Sequence, residues 1–160
     1  MKEILIAKLL EYIRDNNPDL LFALEAEDKL RSWLYDKVYS AESLIQQLRN
    51  DDQPDYIIEE TCLNDITRDL RPSRYNYVLN ILEKEFERDY QQLFQSGLLQ
   101  HEVMNMISYC NSTFDDLRFV EENEDNQFIS YAITGAVSEY LESNRVNETV
   151  RNELQQSAET

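Results

Sequence analysis

Two glycines and three prolines in 160 residues leave this chain very little of the turn chemistry that hairpins and sandwiches require. Helices are the remaining option. The expected fold is therefore all-α: a multihelical single-domain bundle of about six to seven helices over residues 1–146, followed by a polar tail over 147–160 that frays. A composition that is 42% hydrophobic and 11% aromatic is too apolar for a disordered chain, and the length suffices for a core without metals or disulfides.

The periodicity places the helices. The first runs over residues 2–16, with Ile6, Leu9, Leu10 and Ile13 on one face, and ends at Asn17-Pro18 because the residue before proline avoids the helical region. A second opens at Asp19 and carries Leu30, Trp33, Leu34 and Val38, with Trp33 as a core anchor. Ser40 is read as the cap of a short helix holding Leu44, Ile45 and Leu48, which dissolves at Asn50-Asp51-Asp52-Gln53, the most flexible link of the first half. From Pro54, Ile58, Cys62, Ile66 and Leu70 recur every fourth residue up to Arg71-Pro72. Ser73 is placed to cap the next helix, which turns Val78, Leu82 and Phe86 inward and continues past Leu93 to Gly97. Val103, Met106, Ile107, Cys110, Phe114 and Leu117 form the cleanest apolar stripe. Six acidic residues between positions 115 and 125 make an exposed loop, and a last helix over 126–144 faces in through Ile129, Ala132, Ile133, Ala136, Val137 and Tyr140. Gly135 lies inside that helix, where a glycine costs roughly 1 kcal/mol against alanine. Beside Ala132 and Ala136 it reads as a patch for close helix packing, ahead of a functional role.

Thirty-two acidic against fifteen basic residues give a formal net charge of −17. Such a field repels phosphate backbones and anionic membrane surfaces, so nucleic-acid and membrane partners are not expected. A solvated acidic surface is the simplest account; a surface that engages a basic partner is the alternative. The opening MKEILIAKLLEYIRDNN is interrupted by Lys8 and Glu11, which suits an amphipathic helix and not a signal peptide, and no stretch approaches the ~20 apolar residues of a membrane span. Cys62 and Cys110 fall on apolar positions without a CxxC pattern and read as buried free thiols in a reducing, cytoplasmic setting.

Catalytic signatures are missing. Ferritin-like metal sites need two Glu-x-x-His motifs, and the one histidine, His101, has Leu98 three places before it. No glycine-rich loop exists to cradle a phosphate, and neither thiol is spaced to pair with His101. No catalytic residue, metal ligand or cofactor is assigned; an enzyme reading would lean on Glu139 or His101. One segment resists the general acidity: in TRDLRPSRYNYV, Arg68, Arg71 and Arg74 precede a capped helix and Tyr75 follows. They could contact an anion or nucleic acid, with Tyr75 stacking on a base. The competing reading pairs the arginines with Asp65, Asp69 and other nearby acids.

Leu9-Leu10 with Tyr12-Ile13 and Asn-Asn-Pro-Asp-Leu, the stretch SRYNYVLNILEKEFE, and above all ITGAVSEYLESN resemble a small family of Bacteroidetes proteins, a domain of unknown function numbered eighteen-ninety-six in its series. The resemblance runs from about residue 9 to residue 144 and departs around 41–56, where this chain is more acidic and contains Pro54. It implies an all-helical fold, an association with conjugative and other mobile elements, and no reaction. Its Thr-Gly at residues 134 and 135 adds to the packing reading of Gly135. The functional expectation is a non-enzymatic protein-interaction module whose partner is another protein, basic in character, with a homodimer as a further possibility. The alternatives are a DNA mimic that inhibits a basic DNA-binding protein and a nucleic-acid contact through the three arginines.

Overall fold

The computed structural model describes residues 1–159. Among them the chain is all-helical, with no strand. Its α-helices are α1 (Lys2–Asn16), α2 (Pro18–Ala26), α3 (Leu30–Tyr39), α4 (Glu42–Asn50), α5 (Asp55–Ile66), α6 (Arg74–Glu85), α7 (Glu87–Ser96), α8 (Leu99–Asp116) and α9 (Gln127–Glu159), with short 3-10 turns at Arg68–Leu70 and Glu121–Asn123. Their contacts group into two compact units, Met1–Asn76 and the chain from Tyr77 onward.

The helices outnumber the expected six to seven because two long stretches are broken. The helix expected from Asp19 through Val38 is interrupted at Asp28, which takes the left-handed conformation with φ 56°. There the Lys29 N–H donates to the Leu24 carbonyl at 2.8 Å and the Asp28 N–H to that of Glu25 at 3.1 Å, so the last carbonyls of α2 are satisfied. The same closure ends α4 at Asp52, α7 at Gly97 and α8 at Arg118, with φ of 52°, 76° and 51°. Only one of these four stops uses glycine. The second break falls at Phe86, whose φ of −133° and ψ of 54° part α6 from α7.

In the first unit, Leu5, Leu9 and Ile13 of α1 have no exposed surface and meet Leu34 and Val38 of α3, Ile45 of α4, and Ile58, Cys62 and Ile66 of α5. Each such side chain contributes ~1.5–3 kcal/mol when fully withdrawn from water. Trp33 is only partly buried against this core, its ring 5.8 Å from the Lys37 ammonium, so it is a flank and not the anchor expected. Ser40 donates to the Lys37 carbonyl at 2.5 Å instead of capping α4, whose first position is preceded by Ala41. Ser73 does cap α6: its Oγ accepts the Asn76 N–H at 3.0 Å and donates to the Asn16 carbonyl, while the Asn76 amide donates to Asn16 Oδ1 at 3.0 Å. This short network ties the end of α1 to the start of α6.

The second unit is built on α8 and α9. Val103, Met106, Ile107, Cys110 and Phe114 of α8 are buried, as are Ile129, Ile133, Val137 and Leu141 of α9. Two reciprocal hydrogen bonds cross between the helices: the Tyr109 hydroxyl donates to Glu139 at 3.0 Å and that of Tyr140 to Glu102 at 2.7 Å. Tyr77 sits edge-on to both Phe114 and Phe119, with ring centroids 5.7 and 4.7 Å away. α9 does not end near Asn144; it continues to Glu159, so the polar residues 147–159 are helical where fraying was expected, and Thr160 lies outside the described residues. Nothing in the polar stretch breaks a helix, since glycine and proline are both absent after Gly135.

Left-handed backbone costs a non-glycine residue about 1–2 kcal/mol, least for Asp and Asn. Arg118→Gly is therefore expected to stabilise the protein by roughly 1 kcal/mol, and Gly97→Ala to destabilise it by a similar amount. Urea denaturation of the two variants beside the parent chain checks both signs.

Candidate functional site

The arginine segment is the first candidate, and the structure disperses it. Arg68 reaches back three residues to Asp65 at 2.9 Å on the surface. Arg71 donates to the side chain of Asn64 and, at 3.2 Å, to its carbonyl. Arg74, in the first turn of α6, lies near enough to Asp19 for its charge to favour the carboxylate. Tyr75 is 8% exposed, and burial together with the Asp19 charge pushes its hydroxyl above the ordinary tyrosine range. A buried ring presents no face to a base, so the expected stacking by Tyr75 is corrected. Arg68 and Arg71 turn to Asp65 and Asn64 of α5 and Arg74 to Asp19 of α2; Asp65 is a partner as in the pairing set out above, while Asp69 is held by Lys37 at 2.6 Å.

The groups an enzyme reading would need do not come together. His101 is an exposed residue of α8. Cys62 and Cys110 are both free and fully buried, in separate units. Burial pushes the Cys110 thiol up to about 11 and raises that of Cys62 as well, which leaves both protonated near neutral pH. Glu139 is occupied with Tyr109. Among the described residues no three His, Cys, Asp or Glu side chains gather as metal ligands, and no helix is long and apolar enough to cross a membrane. A cleft of about 490 Å³ in the second unit is lined by Tyr77, Asn80, Lys84, Glu85, Asp125 and Ser130, among others. Its lining mixes both charges, with Lys84 among Glu85, Glu124 and Asp125.

The outer side of α9 is different in kind. Phe128 is 81% exposed and Tyr131 68%, three residues apart on one helical face. Gly135 is seven residues from Phe128 and belongs to the same face. It is exposed, and a Cβ built there meets nothing within 4 Å. Close packing of Gly135 inside the fold is therefore corrected: the small patch with Ala132 and Ala136 faces no neighbouring helix at that position. Periodicity identifies the inner face of α9 correctly through Ile129, Ile133 and Val137, and the same periodicity already placed two aromatic rings on the opposite face. That was the signal left unused.

The acidic loop before α9 is held in place. Asn123 accepts the Val120 N–H at 2.8 Å and donates to the Arg118 carbonyl at 2.9 Å, while Phe119 is buried under it. Glu121, Glu122, Glu124 and Asp125 are thus carried on an ordered turn and not on a loose strand of chain. Comparison with protein-family models, curated proteins and solved structures finds no match for this chain, so its function is argued from its own residues.

Asp19 gives a test of the arginine segment's structural role. Burial raises its carboxyl above the ordinary 3.8, partly offset by the N–H groups of Asp19 and Leu20 and then by Arg74. The folded chain therefore holds that proton more tightly than the unfolded one, so this group's contribution to stability is present below 3.8 and is lost as pH rises through the folded value. Asp19→Asn is expected to be more stable than the parent at pH 7, with the advantage vanishing below pH 3.8 in urea melts.

Proposed function

We propose that this protein is a non-enzymatic helical module that binds a basic protein. The observation that carries the reading is a set of large apolar side chains left in solvent on a strongly acidic surface. Phe94, Tyr56 and Phe22 are each more than 60% exposed, besides Phe128 and Tyr131. Scattered exposed apolar residues are ordinary, but aromatic rings are the side chains that most often anchor protein interfaces. A net charge of −17 selects the partner's sign, because two copies of this chain repel one another and nucleic acid is repelled as well. Homodimerisation is disfavoured on the same ground.

The second reading, a DNA mimic filling a basic cleft, calls for carboxylates in rows along rigid helices. The rings of α9 favour the module, since a phosphate backbone has no counterpart to Phe128. An accessory role for a mobile element, which the family resemblance implies, remains part of the proposal and supplies the host lysate to examine.

Tagged protein is expected to retain a basic protein from nuclease-treated host lysate, with retention falling steeply as salt is raised from low to physiological strength. Mass spectrometry of the eluate checks it. Loss of all retained material on nuclease treatment, or retention indifferent to salt, contradicts the reading.

A further inference from the structure

We propose that the outer face of α9, residues 128–142, is the docking surface for a basic amphipathic helix of the partner protein. The inference rests on the protein-binding reading above and names its site. Four features of the second unit meet there. Phe128 and Tyr131 present two rings at 81% and 68% exposure on one face. Gly135 follows on that face with open space around it, so it weakens the helix without serving any contact inside the fold. Glu139 and Glu142 are exposed on the same face, and between Arg118 and Arg145 the chain carries no basic residue. Arg118 and Arg145 themselves stand at the two ends, and Arg145 is bound to Asp89 at 2.6 Å.

Charge complementarity commits the occupant. A helix laid along residues 128–142 covers about 21 Å at 1.5 Å per residue, with the rings toward one end of the track and Glu139 and Glu142 at the other. Its lysines or arginines meet Glu142 and Glu139, both exposed on that face, Glu139 also keeping its bond from Tyr109, while its apolar face covers the rings of Phe128 and Tyr131. A cation over the exposed ring faces adds attraction. At Gly135 the missing side chain lets the partner's backbone come closer than at any position carrying a Cβ, which gives the glycine a use that the fold does not.

The test uses the full chain, isotope-labelled for amide spectra, and a synthetic peptide of lysine, leucine and alanine patterned as an amphipathic helix about 15 residues long. Saturable shifts confined to residues 128–142 and the turn before them are expected, with no binding of the same peptide carrying glutamate for lysine. The double variant Phe128→Ala/Tyr131→Ala keeps its spectrum elsewhere, because both rings are in solvent, and binds about tenfold more weakly. Shifts on another surface, with the double variant binding like the parent, overturn the docking surface while leaving a basic partner in place. Equal binding of the glutamate peptide, or no binding of either peptide, also overturns it; the lysate capture then decides the broader reading separately.

Discussion

A helix that ends in a left-handed residue closes on itself through two backbone hydrogen bonds, and this closure lets a chain poor in glycine turn after four of its helices. It recurs after α2, α4, α7 and α8. At three of the four stops an aspartate or arginine holds the strained conformation, which costs about 1–2 kcal/mol each. The strain is offset locally. After α8, the residue following the left-handed Arg118 is Phe119, whose ring lies 4.9 Å from that of Phe114 one turn back, with Tyr77 against both. The stop is therefore built from the same aromatic cluster that fills the core of its unit, and the acidic turn and α9 start from the position it sets.

Both cores follow from these stops. Short helices of nine to twelve residues hold little structure alone in water, so α2 to α5 depend on the α1 stripe of Leu5, Leu9 and Ile13. α8 and α9 are longer and carry complementary stripes, reinforced by the crossed tyrosine–glutamate pairs. At the end of α1, Ser73, Asn76 and Asn16 answer one another's polar groups. Acidic residues are left with the outer surface, which is where the net charge resides.

Much of this was legible in the residues. The bounds of α1, the cap at Ser73, the stop at Gly97 and the buried stripe of α8 all follow from spacing and from well-known end signals. The breaks at Asp28 and Phe86 were not legible, because an aspartate or phenylalanine within a helical pattern carries no stop signal and the closure depends on neighbouring backbone. The distal half of α9 was hidden by its polarity: few apolar residues mark it, yet nothing in it opposes a helix. Gly135 was the most instructive position. Its neighbours Ala132 and Ala136 suggested internal packing, but a helix turns by 100° per residue, and that rotation puts the glycine on the side of Phe128 and Tyr131.

The docking surface proposed on the outer face of α9 gathers features that do not serve the stability of this chain. An acidic frame, two exposed rings and a glycine with empty space beside it are each unfavourable or neutral for folding, and together they suit a basic helix. The most direct measurement is to make Gly135→Ala and read stability and peptide affinity on the same preparation. The account predicts opposite signs: a fold more stable by about 1 kcal/mol and a basic helix bound several-fold, on the order of threefold or more, less tightly. Unchanged or tighter binding in the stabilised variant would contradict it.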